Sequence, residues 1–526
     1  MYNPNDADVI IIGGGIAGLT AAYCLYLKEP TLDILVLEST DQIGGRAFSV
    51  PLLVEGGKRI SYFDLGAQWI TEEQNDLLTF LDSLGIRAQA TQKEGRAITH
   101  YLHTYTCHQH AKGQLTFLNT SEKFQFAKFI IKVEMLCRKL RESDNSRYVK
   151  ELSEVTLEQF INETVSSNAI HAVITHMVLC SSGLQPGEVS ALFYIFLCLS
   201  TRGICHQLPT MDDTLFQLTI KGGAQTICHR IAETIGRDSV VTDEQVKCIF
   251  SNSKFVEVKT KHTTYRCRSV IVAVPPNEVL HIKFVPPLPV TYLNAVRETC
   301  TSTVTSFVAT FNKQFWKAFE LSGECFFFDK TTSKGPINYC TDISTNDKVA
   351  IAGRIFEEKL TTRKHPVFKR EVLEQLAYYL GEEALSPTDY CEMSWTNHSC
   401  QMLGWRIGND DYIKEISQAY DRQVKDFEIF WAGAETTNDW YGYVAGAVHS
   451  GLRAALEVLY MLRPAVLNST DMTVITPTSR QQLARFKNTY SDYSVYTLVE
   501  HWKLIVSVCL VTLVALWRLK RAMFLL

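Results

Sequence analysis

The chain of 526 residues is short of several things, and each shortage removes a class of function. It has no surplus of either charge: 52 Lys and Arg stand against 56 Asp and Glu, so no broad basic field exists to hold nucleic acid. Its N-terminal stretch has no basic segment leading into a cleavable apolar core, so export is not expected. The 15 cysteines lack any regular spacing, which argues against a disulfide framework and leaves them as free thiols. The Asn-x-Ser/Thr matches at Asn119, Asn162, Asn397 and Asn468 are accordingly chance matches. Internal repeats and low-complexity tracts are also missing, which leaves an ordinary globular composition. A chain this long exceeds one compact core, and about two to four domains are expected.

What is present begins almost at the N-terminus. Asp8-Val9-Ile10-Ile11-Ile12 reads as a strand buried on both faces of a parallel sheet. Gly13-Gly14-Gly15-Ile16-Ala17-Gly18 follows and opens a helical pattern from Leu19 to Leu27. A second apolar run, Ile34 to Leu37, then ends in Glu38, 20 positions after Gly18. A lone Gly-x-Gly-x-x-Gly is weak, but between a buried strand and a helix, with an acid closing the next strand, it is a dinucleotide fingerprint. Gly13 and Gly15 allow the tight turn and close approach to a pyrophosphate at the helix N-terminus. Gly13, Gly15, Ala17 and Gly18 are therefore candidate nucleotide residues, with Glu38 and Ser39 at the ribose.

Further strands are expected at Val240-Val241, Val246 to Phe250, Phe255 to Val258 and Ser269 to Val274, and a last buried strand at Phe430 to Glu435. His100, His103, Cys107, His108 and His110 are of the residue types that zinc prefers, but their spacing matches no zinc signature, so no metal is expected.

Three later motifs decide which dinucleotide is bound: Ser39-Thr40-Asp41-Gln42-Ile43-Gly44-Gly45-Arg46, Asp64-Leu65-Gly66-Ala67-Gln68-Trp69, and Trp431-Ala432-Gly433-Ala434-Glu435 with Asp439-Trp440-Tyr441-Gly442-Tyr443-Val444-Ala445-Gly446-Ala447. With Glu188 to Leu192 and Pro286 to Pro289 between them, the set resembles the flavin amine oxidase family, and the animal monoamine oxidases most. The resemblance runs from Val9 to Leu456. It implies an α/β fold: a Rossmann-like FAD-binding domain with an inserted α+β substrate domain and a C-terminal transmembrane helix. The FAD-binding parts would be 1–95, 209–289 and 393–462, the substrate parts 96–208 and 290–392, followed by a linker 463–500 and an anchor 501–526.

The resemblance also implies roles. Gly45 and Arg46 would lie along the FAD pyrophosphate and ribityl chain, and Val246 at the adenine. Glu435 and Val444 would lie on the flavin side, with Tyr443 one of two rings flanking the amine. Counting from Trp395 puts the second ring at Trp405 and a glycine, Gly404, where a cysteine would tether the flavin. Non-covalent FAD is therefore expected, with Cys400 the nearest thiol. Counting from Pro286-Pro287-Leu288-Pro289 puts Ser306 where the family has a lysine that holds a water at the flavin.

The reaction implied is FAD-dependent deamination of primary arylalkylamines to aldehydes, releasing ammonia and hydrogen peroxide. The alternatives are a polyamine or L-amino-acid oxidase and a catalytically impaired FAD-binding relative. Partners would be a small amine, molecular oxygen, the lipid bilayer and, as one option, a second copy of the chain. Leu504 to Leu516 is uncharged and apolar, flanked by Trp502 and Trp517 with Arg518, Lys520 and Arg521 beyond. It reads as a short tail anchor lengthened by snorkelling flanks. By resemblance it would sit in the mitochondrial outer membrane with the large domain cytosolic, the endoplasmic reticulum being the alternative.

Overall fold

Val9–Ile12 forms the centre of a five-stranded parallel sheet in the order Ile429–Trp431, Ser269–Val272, Val9–Ile12, Ile34–Leu37, Val240–Val241. The computed structural model describes residues 6–475 apart from 92–93, 110–114, 116, 142–145, 205–217, 253, 330–331, 357–367, 396–402 and 409–428. Val9, Ile10 and Ile11 have no exposure, because helices or loops cover both faces of the sheet. The strands come from three separate stretches of chain. Helix Ile16–Lys28 packs tightly on helix Val444–Leu462: a Cβ at Gly451 would lie 2.3 Å from the Ala17 carbonyl oxygen, so only glycine permits the contact.

The two insertions meet in one seven-stranded sheet, ordered Asp389–Ser394, Val304–Phe311, Val349–Phe356, Tyr339–Asp342, Leu321–Phe327, Arg96–Tyr101, Thr104–Gln109. Alternation along these strands sorts residues to two faces. One face carries Phe307, Ile351, Cys325 and Phe327 against helix Lys369–Leu380. The other carries Val308 and Ala352 against Leu52, Val54, Phe63 and Leu65 of the nucleotide domain, and by register Ser306, Arg354 and Met393 share this face. Strand Asp389–Ser394 belongs to this sheet, so the second insertion runs past the expected boundary at 392.

A helical lobe fills the rest of the first insertion. Asn119 with Glu122 and Thr156 with Gln159 form reciprocal capping boxes that fix where two of its helices start. Helix Ala191–Ser200 is buried from Ala191 to Cys198 and forms the centre of the lobe.

Three expectations are corrected or left aside. The expected linker begins as ordered structure: Ser469–Ile475 is a helix, and Asp471 accepts from Lys28 Nζ at 2.7 Å. His100 is a core histidine, its ring nitrogens engaged by the Tyr379 hydroxyl and the Leu102 carbonyl. The His108 side chain and His110 lie outside the described residues. Among the described residues no helix is long and apolar enough to cross a membrane, and the apolar run Leu504 to Leu516 lies outside them.

Candidate active site

Helix Ile16–Lys28 starts at Gly15 with no side-chain cap and no acidic residue in its first turn, so its first amides are open to an anion. Gly15 and Gly45 face each other across a slot. A Cβ on Gly15 would find only the Gly44 carbonyl oxygen at 3.8 Å, and one on Gly45 only the Gly15 Cα at 3.8 Å. Gly18 differs, since its Cβ would lie 2.1 Å from the Gly13 carbonyl oxygen; it serves helix-to-strand packing. Glu38 is buried in the wall. It accepts from the Gly14 N–H at 2.8 Å, the Thr40 N–H at 2.9 Å, and the Ser39 hydroxyl at 3.2 Å.

Arg46 and Glu435 form a bidentate pair, with Nη2 to Oε2 at 2.8 Å and a second, shorter contact between Nη1 and Oε1. The Glu435 side chain has no exposure, whereas 29% of the Arg46 side chain remains open, so the pair joins the first and last parts of the domain while leaving one edge of the guanidinium accessible. Ala17, Ser39, Val246, Tyr443 and Val444 line the same cleft, which encloses ≈ 1820 Å³ with its open mouth included.

The far end of the cleft is built of rings and small residues: Phe48, Ala67, Met393, Trp395, Gly442 and Tyr443. Trp395 is locked by donating Nε1–H to the Leu65 carbonyl at 2.9 Å and by edge contact with Phe48 at 6.4 Å between centroids. Tyr443 sits at the N-terminus of helix Val444–Leu462, its ring edge-on to Trp440 at 5.6 Å. Beneath this end Asp64 accepts from the Ser49 hydroxyl at 2.6 Å and the Ala224 N–H at 2.8 Å. Burial pushes its carboxyl up to about 6, against the pull of those hydrogen bonds and of Lys348 and Arg354.

The structure does not bring Trp405 to the cleft. Strand Leu403–Trp405 pairs with Thr299–Thr301, and the Trp405 carbonyl accepts from Ser190 N–H at 2.8 Å. Its ring is thereby packed among Phe193, Phe196 and Tyr441 in the helical lobe. Gly404 goes with it: a Cβ there would lie 2.4 Å from Leu184 Cδ1, so this position has neither room for a thiol nor a view of the cleft. Cys400 lies outside the described residues. Ser306 is on the cleft-facing side of the large sheet, 1% exposed, next to Met393.

Sequence reasoning missed Met393, Trp395 and Phe48 as wall residues. A signal existed in the alternation Cys391, Met393, Trp395, which continues one strand face into the cleft. Nothing in the sequence marked Arg354, because its importance depends on which strand lies beside Ser306.

A glycine slot at an uncapped helix N-terminus, an acid one strand away and an apolar ring-lined end fit a dinucleotide with a planar redox ring. The fold and cleft thus define a dinucleotide-dependent oxidoreductase. Residues 16–459 match the family model described as flavin containing amine oxidoreductase, and the chain belongs to that family, with FAD as cofactor and amine oxidation as its chemistry. It is 28% identical to the probable flavin-containing monoamine oxidase A of Dictyostelium discoideum, over 86% of this chain and 97% of that one. It is 26% identical to the putrescine oxidase of Kocuria rosea, over 86% and 95%. The solved structure of cyclohexylamine oxidase from Brevibacterium oxydans shares the fold, with a TM-score of 0.75 at 23% identity over 87% of this chain and 99% of that chain.

Proposed function

We propose that the protein deaminates primary amines carrying one nitrogen and an aryl body, with FAD held non-covalently. The observation that carries this reading is the ring-lined end of the cleft, where Tyr443, Trp395 and Phe48 surround the space beside Met393 and Ala67. Such a chamber desolvates an incoming ammonium and favours the free amine. Bound FAD supplies the two-electron acceptor. Tyr443 presents its ring to the amine, and Trp395, held by Leu65, sets the opposite wall.

For non-covalent binding, the described cleft lining holds no cysteine, and the nearest thiol in sequence to Trp395 on its C-terminal side is Cys400. The apolar run Leu504 to Leu516 between Trp502 and Trp517 supports a tail anchor, in the outer mitochondrial membrane on the cytosolic face, with the endoplasmic reticulum as the other address.

The test uses the full chain in detergent with FAD bound and oxygen removed. Tyramine, phenethylamine, tyrosine, phenylalanine and putrescine are added in turn while the flavin band is followed. The aryl compounds should bleach it, and Tyr443→Ala should slow bleaching by roughly tenfold, the order of one lost ring–amine contact. Bleaching by no member of the panel sinks the oxidase reading. Flavin that stays on the acid-precipitated pellet sinks non-covalent binding.

A further inference from the structure

On the sheet face turned toward the cleft, five side chains stand in one cross-strand row, Met393, Ser306, Arg354, Tyr339 and Phe326, each directly opposite the next. Met393 is part of the cleft wall. Arg354 lies two strands away, about 10 Å from Met393 by the usual strand spacing. Arg354 Nη2 donates to the Gly66 carbonyl at 2.8 Å, one residue before the wall residue Ala67. The guanidinium is therefore fixed from one side by the segment that leads into the chamber wall.

Its other side is not satisfied. Arg354 Nη1 and Ser306 Oγ are both buried, and neither has a hydrogen-bond partner among the described residues. A buried cationic donor beside a buried hydroxyl, both unmatched, is costly in a packed sheet unless something absent from the chain completes them. Asp64, the acid that feels Arg354, is already engaged by Ser49 and Ala224. Burial, the largest influence, raises the Tyr339 hydroxyl's pKa; Arg354 opposes that rise, and Cys180 and Tyr443 add to it, so Tyr339 feels both Arg354 and Tyr443.

We infer that Arg354 and Ser306 receive an anionic group of the substrate, so that the amine this chain oxidises also carries a carboxylate, as an aromatic amino acid does. The inference rests on the proposed amine site and names its substrate class. A guanidinium edge and a hydroxyl match the two oxygens of a carboxylate, and the same charge repels the second ammonium of a diamine. Arg354 is thus a specificity-determining residue.

Two measurements on the FAD-bound full chain in detergent test this. First, 3-phenylpropanoate, which has the aryl body and carboxylate but no amine, is titrated while the oxidised flavin band is followed. It should bind, Arg354→Gln should weaken binding ~30-fold and Ser306→Ala several-fold, while Arg354→Lys should retain part of it, as expected for loss of a charge-assisted pair. Second, anaerobic flavin reduction by phenylalanine is compared with that by phenethylamine, which differs only in lacking the carboxylate. Phenylalanine should be the better reductant, and Arg354→Gln should raise its KM with little change for phenethylamine. Equal 3-phenylpropanoate binding by wild type and both the Gln and Ala variants, no binding by the wild type, or a wild-type preference for phenethylamine overturns the inference. If neither amine reduces the flavin yet Arg354→Gln and Ser306→Ala both weaken 3-phenylpropanoate binding, the oxidase reading fails and the anion site stands.

Discussion

Two glycines of one motif should fail in opposite ways when changed to alanine. At Gly18 the new methyl would lie 2.1 Å from the Gly13 carbonyl oxygen and 3.1 Å from Ala273 Cβ. Helix Ile16–Lys28 cannot back away, because Gly451 of helix Val444–Leu462 is pressed against the Ala17 carbonyl on its other side. Overpacking with no route for relaxation costs ~3 kcal/mol, a large share of a typical net stability. At Gly15 the methyl meets only the Gly44 carbonyl oxygen at 3.8 Å, and the backbone φ of -79° suits any residue. Gly15→Ala should therefore leave the FAD-depleted protein within ~1 kcal/mol of wild type, the cost of a poorer helix N-cap.

Its methyl instead enters the opening beside the Gly44 carbonyl through which a pyrophosphate must approach the helix amides. Losing ~1.4 to 3 kcal/mol of that contact lowers FAD affinity by about one to two decades. The assay is urea unfolding with and without added FAD, together with the flavin-to-protein absorbance ratio after dialysis. Gly18→Ala should unfold early in both conditions. Gly15→Ala should match wild type without FAD and gain much less from adding it. Gly15→Ala that keeps its full flavin complement, or that unfolds as early as Gly18→Ala without FAD, refutes the division of labour between the two glycines.

Asp64 should make stability pH-dependent. Its folded carboxyl, raised by burial to about 6 from 3.8, binds its proton more tightly than in the unfolded chain, so its contribution is greatest below about pH 4 and falls as the pH rises toward 6. Asp64→Asn should therefore gain on wild type by ~2 to 3 kcal/mol between pH 4 and pH 7.5; a gap that does not change with pH contradicts this. Trp405→Phe should lower the unfolding midpoint by the ~1 to 2 kcal/mol of a trimmed core ring while leaving amine reduction rates intact. Trp395→Phe should instead alter the flavin spectrum and the rates, and the reverse pattern would return Trp405 to the site.

The strand–turn–helix at Val9 to Lys28 was legible because its cues are local: a two-sided apolar run, glycines at fixed offsets, and an acid closing the next strand. Arg46 and Glu435 were legible one by one, as cofactor residues in motifs 389 residues apart, and their bidentate contact appears only on folding. Trp405 was misplaced because a count from Trp395 assumes the chain continues along the cleft. Hydrogen bonding to Thr299–Thr301 turns it into the helical lobe instead. The helix Ser469–Ile475 at the start of the expected linker was missed for a similar reason, since the Lys28–Asp471 contact joins residues 443 apart.

Dinucleotide binding and kinship with the flavin amine oxidases are written in local sequence, since backbone approach to a phosphate demands particular residues at particular offsets. Which side chains join Tyr443 in the substrate chamber follows from long-range packing instead. Cross-strand register set Ser306 between Arg354 and Met393, and register depends on pairing between distant segments, which no local pattern encodes.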